Sequence, residues 1–174
     1  CARFSACGAR VILDADGEAL RLGLAQKPWL IKPNEEEIAV YLGREIDSFE
    51  SVMDGAKALY ESGIENVMIS LGSKGALLVC ADGAFIAHPP KIKAISTIGA
   101  GDSSIGGFLA AAAAGKGSAE MIKTAEQSIE AAKQSIEAFT REEISYEEVW
   151  KIIQKPERPQ RSQRLYKSKK DWCY

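Results

Sequence analysis

The sequence contains few residues of the kinds that form covalent or metal cross-links. Its four cysteines are scattered and form no CxxC pair, and its only histidine is His88. Disulfide frameworks and zinc sites need grouped ligands, so we expect neither, and this cysteine usage favours a reducing cytoplasm. His88 lies in an alternating stretch that is typical of a strand surface, so no catalytic role is assigned to it.

Long apolar runs and a surplus of one charge are also missing. The longest soft apolar run, Phe108 to Ala114, is far shorter than the roughly 20 residues that cross a bilayer. The first residues do not form a basic and apolar leader, so no secretory signal is expected. The 22 basic and 24 acidic side chains leave a formal charge of −2, so nucleic acid is not an expected partner. The 174 residues suffice for one domain with a hydrophobic core.

Short apolar runs and helical patterns alternate along the chain. Residues 9–14, 29–32 and 66–71 are typical of buried strands, and Asp82-Gly83 between two apolar runs predicts a β-hairpin. The predicted helices are residues 17–26, a segment after Asn34, residues 48–63, a segment from the glycine loop to about Ala114, residues 119–139, and a last helix from Ser145 to just before Pro156. This alternation predicts an α/β layered fold with a largely parallel sheet flanked by helices.

Polar residues follow the predicted strands at the points where these strands end. Asp14 follows the first strand, and Lys32, Asn34 and Glu37 follow the second. The third strand leads into the turn Leu71–Gly75, with the sequence LGSKG. Ligands of parallel α/β sheets gather at the carboxyl ends of the strands, so these residues are candidates for a binding site.

The stretch STIGAGDSSIGGFLA, residues 96–110, places flexible backbone and an acid directly before a helix. Gly99, Ala100 and Gly101 let the backbone turn sharply and approach a ligand closely. Their N–H groups would lie at a helix start, where open amides and the helix dipole attract phosphate. Asp102 then fits a general base that takes a proton from an attacking hydroxyl, a role typically worth about 10²–10⁴ in rate.

Each of these residues also has a purely structural alternative. Asp102 can be a favourable first-turn acid, and Asn34 with Glu37 can form a capping box. The other candidates can be a strand-end charge (Lys32), a turn cap (Asp14) and ordinary turn residues (Ser73 and Lys74). Two common nucleotide motifs are missing, because GxxxxGK[ST] does not occur and the glycine loop does not open a βαβ unit.

Four motifs resemble those of one enzyme family. STIGAGDSSIGGFLA resembles the second signature of the PfkB, or ribokinase-like, carbohydrate kinases. VILDADGEAL, followed by LIKPNEEE, is similar to the phosphofructokinase branch, which comprises 1-phosphofructokinase, tagatose-6-phosphate kinase and the minor 6-phosphofructokinase. ISLGSKGALLV and the hairpin after it match in order and spacing. The resemblance covers roughly residues 11–109, and four motifs in register make it specific.

The resemblance implies a ribokinase-like fold and ATP-dependent, Mg²⁺-assisted phosphorylation of a hydroxyl on a fructose or tagatose phosphate. It implies that Asp102 is the catalytic base and that the amides of Gly99, Ala100 and Gly101 form an anion hole. Glu37 and Asp14 correspond to metal-associated acids. The implied nucleotide-binding residues are Lys32, Asn34, Ser70, Gly72, Ser73, Lys74 and Gly75.

Two departures from the family pattern lead to further expectations. Family members are longer, and their first half carries the sugar-phosphate site and a lid. Residues 1–155 are therefore predicted to be the C-terminal portion of a kinase domain, with an exposed sheet edge and a homodimer or the missing half as partner. Residues 156–174 are predicted to form a basic, solvated and disordered tail, with a basic interaction arm as the alternative. Polar residues in Glu126–Gln134 replace the small residues that pack beside adenine in relatives, although Ala125 and Ile129 still indicate a core-facing stripe.

Three functions remain compatible with the sequence. The first is an ATP-dependent kinase of a sugar phosphate, and the second is a kinase of a free sugar or a nucleoside. The third is a non-catalytic nucleotide-binding remnant or interaction module. The residues that would distinguish the first two acceptors belong to the half that is not present in this chain, so the sequence does not identify the acceptor.

Overall fold

The computed structural model describes residues 1–88 and 99–140, with side chains described as far as residue 132. The chain divides into two compact units, residues 1–134 and residues 135–174. The elements described below belong to the first unit, apart from the last residues of the final helix. The predicted helix from Ser145 and the predicted tail, residues 156–174, lie outside the described residues.

Five strands form one sheet in the order β1-β2-β3-β4-β5. They are β1 (Ile12–Leu13), β2 (Leu30–Ile31), β3 (Asn66–Ser70), β4 (Ala76–Cys80) and β5 (Gly83–Ala87). The first two pairings are parallel and the last two are antiparallel. Two antiparallel steps return β5 to the direction of β3, so β4 alone among these five strands runs against the others. The predictions of a largely parallel sheet and of a hairpin at Asp82-Gly83 are confirmed, and β3 with β4 forms a second antiparallel pair that the sequence did not indicate.

Six α-helices accompany the described sheet. They are α1 (Ala2–Ala6), α2 (Gly17–Leu24), α3 (Glu35–Leu42), α4 (Phe49–Glu61), α5 (Ala100–Ala113) and α6 (Ser118–Thr140), and a short 3₁₀ helix covers Gly72–Lys74. Helices α2 to α6 lie within a few residues of their predicted positions. The helix ends follow from local sequence, because Asn34 caps the start of α3 and Gly43, whose φ of +63° suits glycine, caps its end.

The sheet separates two hydrophobic clusters. Helices α2, α3 and α4 cover one face, and α5 and α6 cover the other. Val67 and Met68 are neighbours in β3 yet belong to opposite clusters, because side chains alternate along a strand. The largest buried side chains of the two clusters are Ile31, Ile38, Ile64, Ile69 and Leu77 on one face, and Leu30, Met68, Leu78, Phe108 and Ile122 on the other. This arrangement is a three-layer α/β fold.

Helix α6 contains one departure from the expected pattern. Ala125 is fully buried and Ile129 is partly buried, as the predicted stripe requires. Glu126, one of the polar residues that replace the small residues of the family pattern, is only 4% exposed. It lines a cavity of about 620 Å³ between α6 and β5, together with Phe85 and Ile122. The polar substitution near the expected adenine position therefore points inward rather than to the surface.

The outer surface of the described part carries several apolar side chains. Strand β1 pairs with β2 alone among the described strands. Phe4, Leu22, Val40 and Tyr41, on helices α1 to α3, are exposed. No disulfide occurs within residues 1–88 and 99–132. None of the helices in the described ranges has both the length and the apolar character that a membrane span requires.

Candidate active site

Four of the described strands end at one edge of the sheet, which we call the carboxyl edge. Strands β1, β2, β3 and β5 run in the same direction, so the residues that follow them lie along this edge. These residues are Asp14 after β1, Lys32 after β2, Leu71 after β3 and His88 after β5. The predicted site residues after the first three strands therefore lie on one side of the molecule.

Asp14 and Lys32 form an ion pair that lies against the start of α5. The Lys32 Nζ lies 3.3 Å from the Asp14 Oδ2, and the Lys32 side chain is only 10% exposed, against 38% for Asp14. A Cβ atom added to Gly101 would lie 3.0 Å from the Lys32 Nζ and 3.9 Å from the Asp14 Oδ2. Since no larger residue would fit without moving the ammonium group, glycine lets the helix start approach this cation closely. Three residues from separate predicted motifs are thus brought into contact.

The first turn of α5 presents open backbone amides. Gly99 precedes the helix with φ of +75°, a conformation that glycine adopts without steric cost, and no side chain caps the helix. Within the described residues, the N–H groups of Ala100, Gly101 and Asp102 donate to no acceptor. Amides at this position and the positive end of the helix dipole together favour an anion.

Asp102 is exposed at the same helix start. Its carboxylate makes no hydrogen bond or ion pair with the residues that the structure describes. If the Asp102 carboxylate capped α5, it would accept hydrogen bonds from the backbone amides at the helix start. It accepts none of them. The carboxylate is therefore accessible to a group that arrives from solvent.

Asn34 and Glu37 form the capping box that the sequence predicted as an alternative to a ligand-binding role. The Asn34 Oδ1 accepts a hydrogen bond from the Glu37 N–H at 2.8 Å, and the Glu37 Oε2 accepts one from the Asn34 N–H at 2.9 Å. The box occupies one atom of each side chain. The Asn34 Nδ2 and the Glu37 Oε1 make no hydrogen bond within the described residues, so both side chains keep one group for a ligand.

The turn after β3 lies next to this capping box. The Ser70 N–H donates to the Pro33 carbonyl at 3.0 Å, and Ser70 pairs with Asn34 in a parallel bridge. The Leu71 N–H then donates to the Gly75 carbonyl at 2.8 Å and closes the turn. Gly72 and Ser73 are exposed. Within the described residues, neither of them makes a hydrogen bond or an ion pair with Asp14 or Lys32.

Two residues that sequence reasoning did not place in the site hold Lys74. The Lys74 Nζ lies 3.8 Å from the Glu35 Oε1, and the His88 Nδ1 lies 3.1 Å from the Lys74 carbonyl oxygen. His88 is exposed, in agreement with its strand-like surroundings. Both contacts join distant parts of the sequence, so no local pattern indicates them.

The capping box also lines a cavity of about 830 Å³ between α2 and α3. Glu18 and Arg21 line the other side and form a bidentate pair with two contacts of 2.7 Å. The hydrogen bonds from Arg21 lower the pKa of Glu18 from its usual value. The pair therefore places the Arg21 guanidinium group in one wall of the cavity.

The predicted metal-binding acids can supply only a small number of ligands. In the described ranges no group of three or more His, Cys, Asp or Glu side chains is placed to hold a metal ion. Asp14 and Glu37 each retain one carboxylate oxygen without a hydrogen bond to a described residue. One or two carboxylates suit Mg²⁺, which prefers oxygen ligands and keeps several waters, and do not suit an ion that needs a full protein cage.

The chain is similar in sequence to one family of known proteins. Residues 1–139 match the family described as pfkB family carbohydrate kinase. The 1-phosphofructokinase of Escherichia coli strain K12 is 48% identical over 99 residues, which are 57% of this chain and 32% of that protein. The 1-phosphofructokinase of Rhodobacter capsulatus is 43% identical over 118 residues, which are 68% of this chain and 37% of that protein.

Solved structures show the same fold. Phosphofructokinase-2 from Escherichia coli in complex with substrates and products gives a TM-score of 0.71 at 34% identity, over 74% of this chain and 43% of that one. Aminoimidazole riboside kinase from Salmonella enterica gives a TM-score of 0.60 at 25% identity, over 75% and 48%. The chain matches about a third of the length of the curated relatives and less than half of these two structures.

Proposed function

This chain belongs to the pfkB family of carbohydrate kinases, and from this membership we propose that it carries the nucleotide-binding and catalytic part of an ATP-dependent kinase. The proposed reaction is transfer of a phosphoryl group to a hydroxyl of a sugar phosphate of the fructose or tagatose type. The observation that supports it most directly is the start of α5, where open amides, an exposed Asp102 and the Lys32 ammonium group lie together.

In the proposed reaction, the acceptor hydroxyl attacks the terminal phosphorus of ATP, ADP leaves, and Asp102 takes the hydroxyl proton. The amides of Gly99, Ala100 and Gly101, with that of Asp102, would stabilise the charge on the phosphoryl oxygens. Lys32 would supply a compact positive charge beside the phosphates. Its partly buried position next to Asp14 holds this charge in place.

The remaining predicted residues would hold the nucleotide and a magnesium ion. Asp14 and Glu37 would bind Mg²⁺ through the oxygens that the ion pair and the capping box leave open. When bound, Mg²⁺ would neutralise phosphate charge. The turn that contains Ser70, Gly72, Ser73, Lys74 and Gly75 would contact the nucleotide, together with Asn34.

The whole protein's organisation follows as part of the same proposal. We propose that residues 1–155 are the C-terminal portion of a kinase domain, that residues 156–174 are a basic tail, and that the protein works in the cytoplasm. A second copy of the chain or an N-terminal half would cover the outer edge of β1. One of the solved relatives, phosphofructokinase-2 from Escherichia coli, is described in a tetrameric inhibited form.

Isothermal titration of the chain with Mg-ATP tests the proposal, followed by an assay of ADP release. We expect a dissociation constant within the range of about 1 µM to 1 mM that is typical of enzyme substrates. Turnover with fructose 1-phosphate, fructose 6-phosphate or tagatose 6-phosphate would support the kinase, and turnover with a free sugar or nucleoside would support the second acceptor class. No binding of Mg-ATP would overturn the proposal.

A non-catalytic nucleotide-binding remnant is the second candidate function. The chain corresponds to only 32% of the length of the Escherichia coli 1-phosphofructokinase, and this observation favours it. The ADP-release assay that follows the titration distinguishes the two, because a remnant binds Mg-ATP and turns over none of the acceptors.

Gly101→Ala is expected to lower the affinity for Mg-ATP while it leaves the free energy of unfolding nearly unchanged. Alanine favours a helix over glycine by about 1 kcal/mol, and the displaced Lys32 ammonium group can move. We therefore expect the free energy of unfolding to change by no more than about 1 kcal/mol, while Mg-ATP affinity falls about tenfold because the phosphates lose their close approach. Urea unfolding and isothermal titration measure the two effects.

Gly106→Ala is the matched control, because a Cβ atom at Gly106 in the same helix meets nothing within 4 Å. It should raise stability slightly and leave the affinity unchanged. Equal affinities for the two variants would contradict a phosphate at Gly101.

Substitutions of Asn34 distinguish capping from ligand binding. Asn34→Ala is expected to lower the free energy of unfolding by about 1 kcal/mol, and Asn34→Ser by only a few tenths, because serine also caps helices well. If the Asn34 Nδ2 contacts the nucleotide, both variants lose Mg-ATP affinity to a similar extent. If Asn34 only caps α3, Asn34→Ser retains the wild-type affinity in titration.

A further inference from the structure

The two serines after Asp102 turn their hydroxyl groups back toward the start of α5. The Ser103 Oγ donates a hydrogen bond to the Gly99 carbonyl at 2.8 Å, and the Ser104 Oγ donates one to the Gly101 carbonyl at 2.8 Å. Ser104 is only 5% exposed, and Ser103 is partly buried. Gly99 also accepts the Ser103 N–H at 2.9 Å, so its carbonyl receives two donors.

These two carbonyls belong to peptide groups whose N–H ends face the proposed phosphate site. The Gly99 carbonyl shares a peptide group with the Ala100 N–H, and the Gly101 carbonyl shares one with the Asp102 N–H. In a trans peptide the carbonyl and the N–H point in opposite directions. A donor on the oxygen draws electron density through the conjugated group, which makes the N–H a stronger donor.

From this geometry we infer that Ser103 and Ser104 are positioning residues that polarise and orient the amides of the anion hole. The inference rests on the proposed function only in that a nucleotide phosphate is the anion. Ser103 acts on the Ala100 amide and Ser104 acts on the Asp102 amide. Neither hydroxyl touches the phosphate.

The pattern of these hydrogen bonds separates the inference from ordinary helix back-bonding. Serine hydroxyls often bond to carbonyls one turn earlier, but in a helix interior the N–H ends of those peptide groups already bond within the helix. Here the two bonds fall on alternate peptide groups. The Ala100 carbonyl, which shares its peptide group with the Gly101 N–H, accepts no side-chain hydrogen bond within the described residues. The Gly101 amide is therefore an internal reference.

Amide spectra of the labelled chain test the inference directly. In ¹H–¹⁵N spectra without nucleotide, Ser103→Ala should shift the Ala100 amide proton upfield and Ser104→Ala should shift that of Asp102. The Gly101 amide should shift least in both variants. Cooperative strengthening of about 10–30% per hydrogen bond predicts that each variant lowers Mg-ATP affinity about two- to fivefold.

Conservative variants and a matched control complete the experiment. Ser103→Thr and Ser104→Thr keep the hydroxyl and should restore both the amide shifts and the affinity. Thr124→Ala removes a bond of the same kind, from the Thr124 Oγ1 to the Glu120 carbonyl at 2.7 Å in α6, and should change neither. If Ser104→Ala does not fold, Ser104→Cys keeps the volume with a weaker donor and should shift the Asp102 amide in the same direction.

The outcomes distinguish this inference from the proposed function. If the wild-type chain binds Mg-ATP and the alanine variants match Thr124→Ala in shifts and affinity, the serines are only structural and the inference is wrong. If the wild-type chain binds no Mg-ATP, the proposed function fails, and the amide shifts alone decide whether the serines polarise the helix start.

Discussion

In a full-length context that includes the sugar-phosphate half, Asp102→Asn is expected to lower the rate of phosphoryl transfer to a sugar phosphate by about 10²–10⁴, the usual contribution of a general base. Asparagine has the same shape as aspartate but cannot accept the hydroxyl proton. The carboxylate makes no hydrogen bond within the described residues, so its loss breaks no contact of the fold. We therefore expect the Mg-ATP affinity to stay within about twofold of the wild type. Single-turnover ADP release and isothermal titration measure the two quantities.

Glu120→Gln is the matched control, since Glu120 is an acid in the first turn of α6. Both substitutions remove a charge that favours the positive end of a helix dipole, so each should lower the free energy of unfolding by about 0.3–1 kcal/mol. Only Asp102→Asn should lower the rate of phosphoryl transfer. A rate for Asp102→Asn close to that of Glu120→Gln would reduce Asp102 to a first-turn acid and remove it from the mechanism.

Gly75→Ala is expected to cause the largest loss of stability among these substitutions. Gly75 has a φ of +107°, and an added Cβ atom would lie 1.9 Å from the Ala87 carbonyl oxygen in β5. The backbone strain and the forced separation of the hairpin together predict a loss of roughly 3–5 kcal/mol in the free energy of unfolding. Urea denaturation measures this loss, which is a large fraction of the roughly 5–15 kcal/mol of a typical domain.

The same turn provides a control for this prediction. Gly72 also has a positive φ, +58°, but a Cβ atom there meets nothing within 4 Å. Gly72→Ala therefore tests the backbone strain alone and should cost about 1–2 kcal/mol. If both variants lost the same stability, the close approach of Gly75 to Ala87 would not contribute.

Much of the fold could be predicted because its signals lie close together in the sequence. The hairpin follows from Asp82-Gly83, and the start of α3 follows from Asn34 and Glu37, which are three residues apart. The order of strands and helices followed from alternating patterns of the same short range. The location of the candidate site at the carboxyl edge could also be predicted, because parallel strands place their carboxyl ends together.

Other features could not be predicted because they join segments that are distant in the chain. Glu126 is buried, which its residue type does not indicate, since burial depends on what packs against α6. His88 and Glu35 contact Lys74 across long stretches of sequence. The orientation of the Ser103 and Ser104 hydroxyls is a local feature, and it could not be predicted for a different reason: residue type alone does not specify side-chain rotation.

By itself, the sequence determined the elements, the helix caps, the hairpin and the motifs of the family, because each depends on residues within a few positions of one another. Only the tertiary structure decided that Lys32 is held between Asp14 and the bare Cα of Gly101, and that the α5 amides stay open beside it. The physical reason is distance: an ion pair and an open helix start become one site only after sheet pairing and helix packing bring three separate segments within about 4 Å.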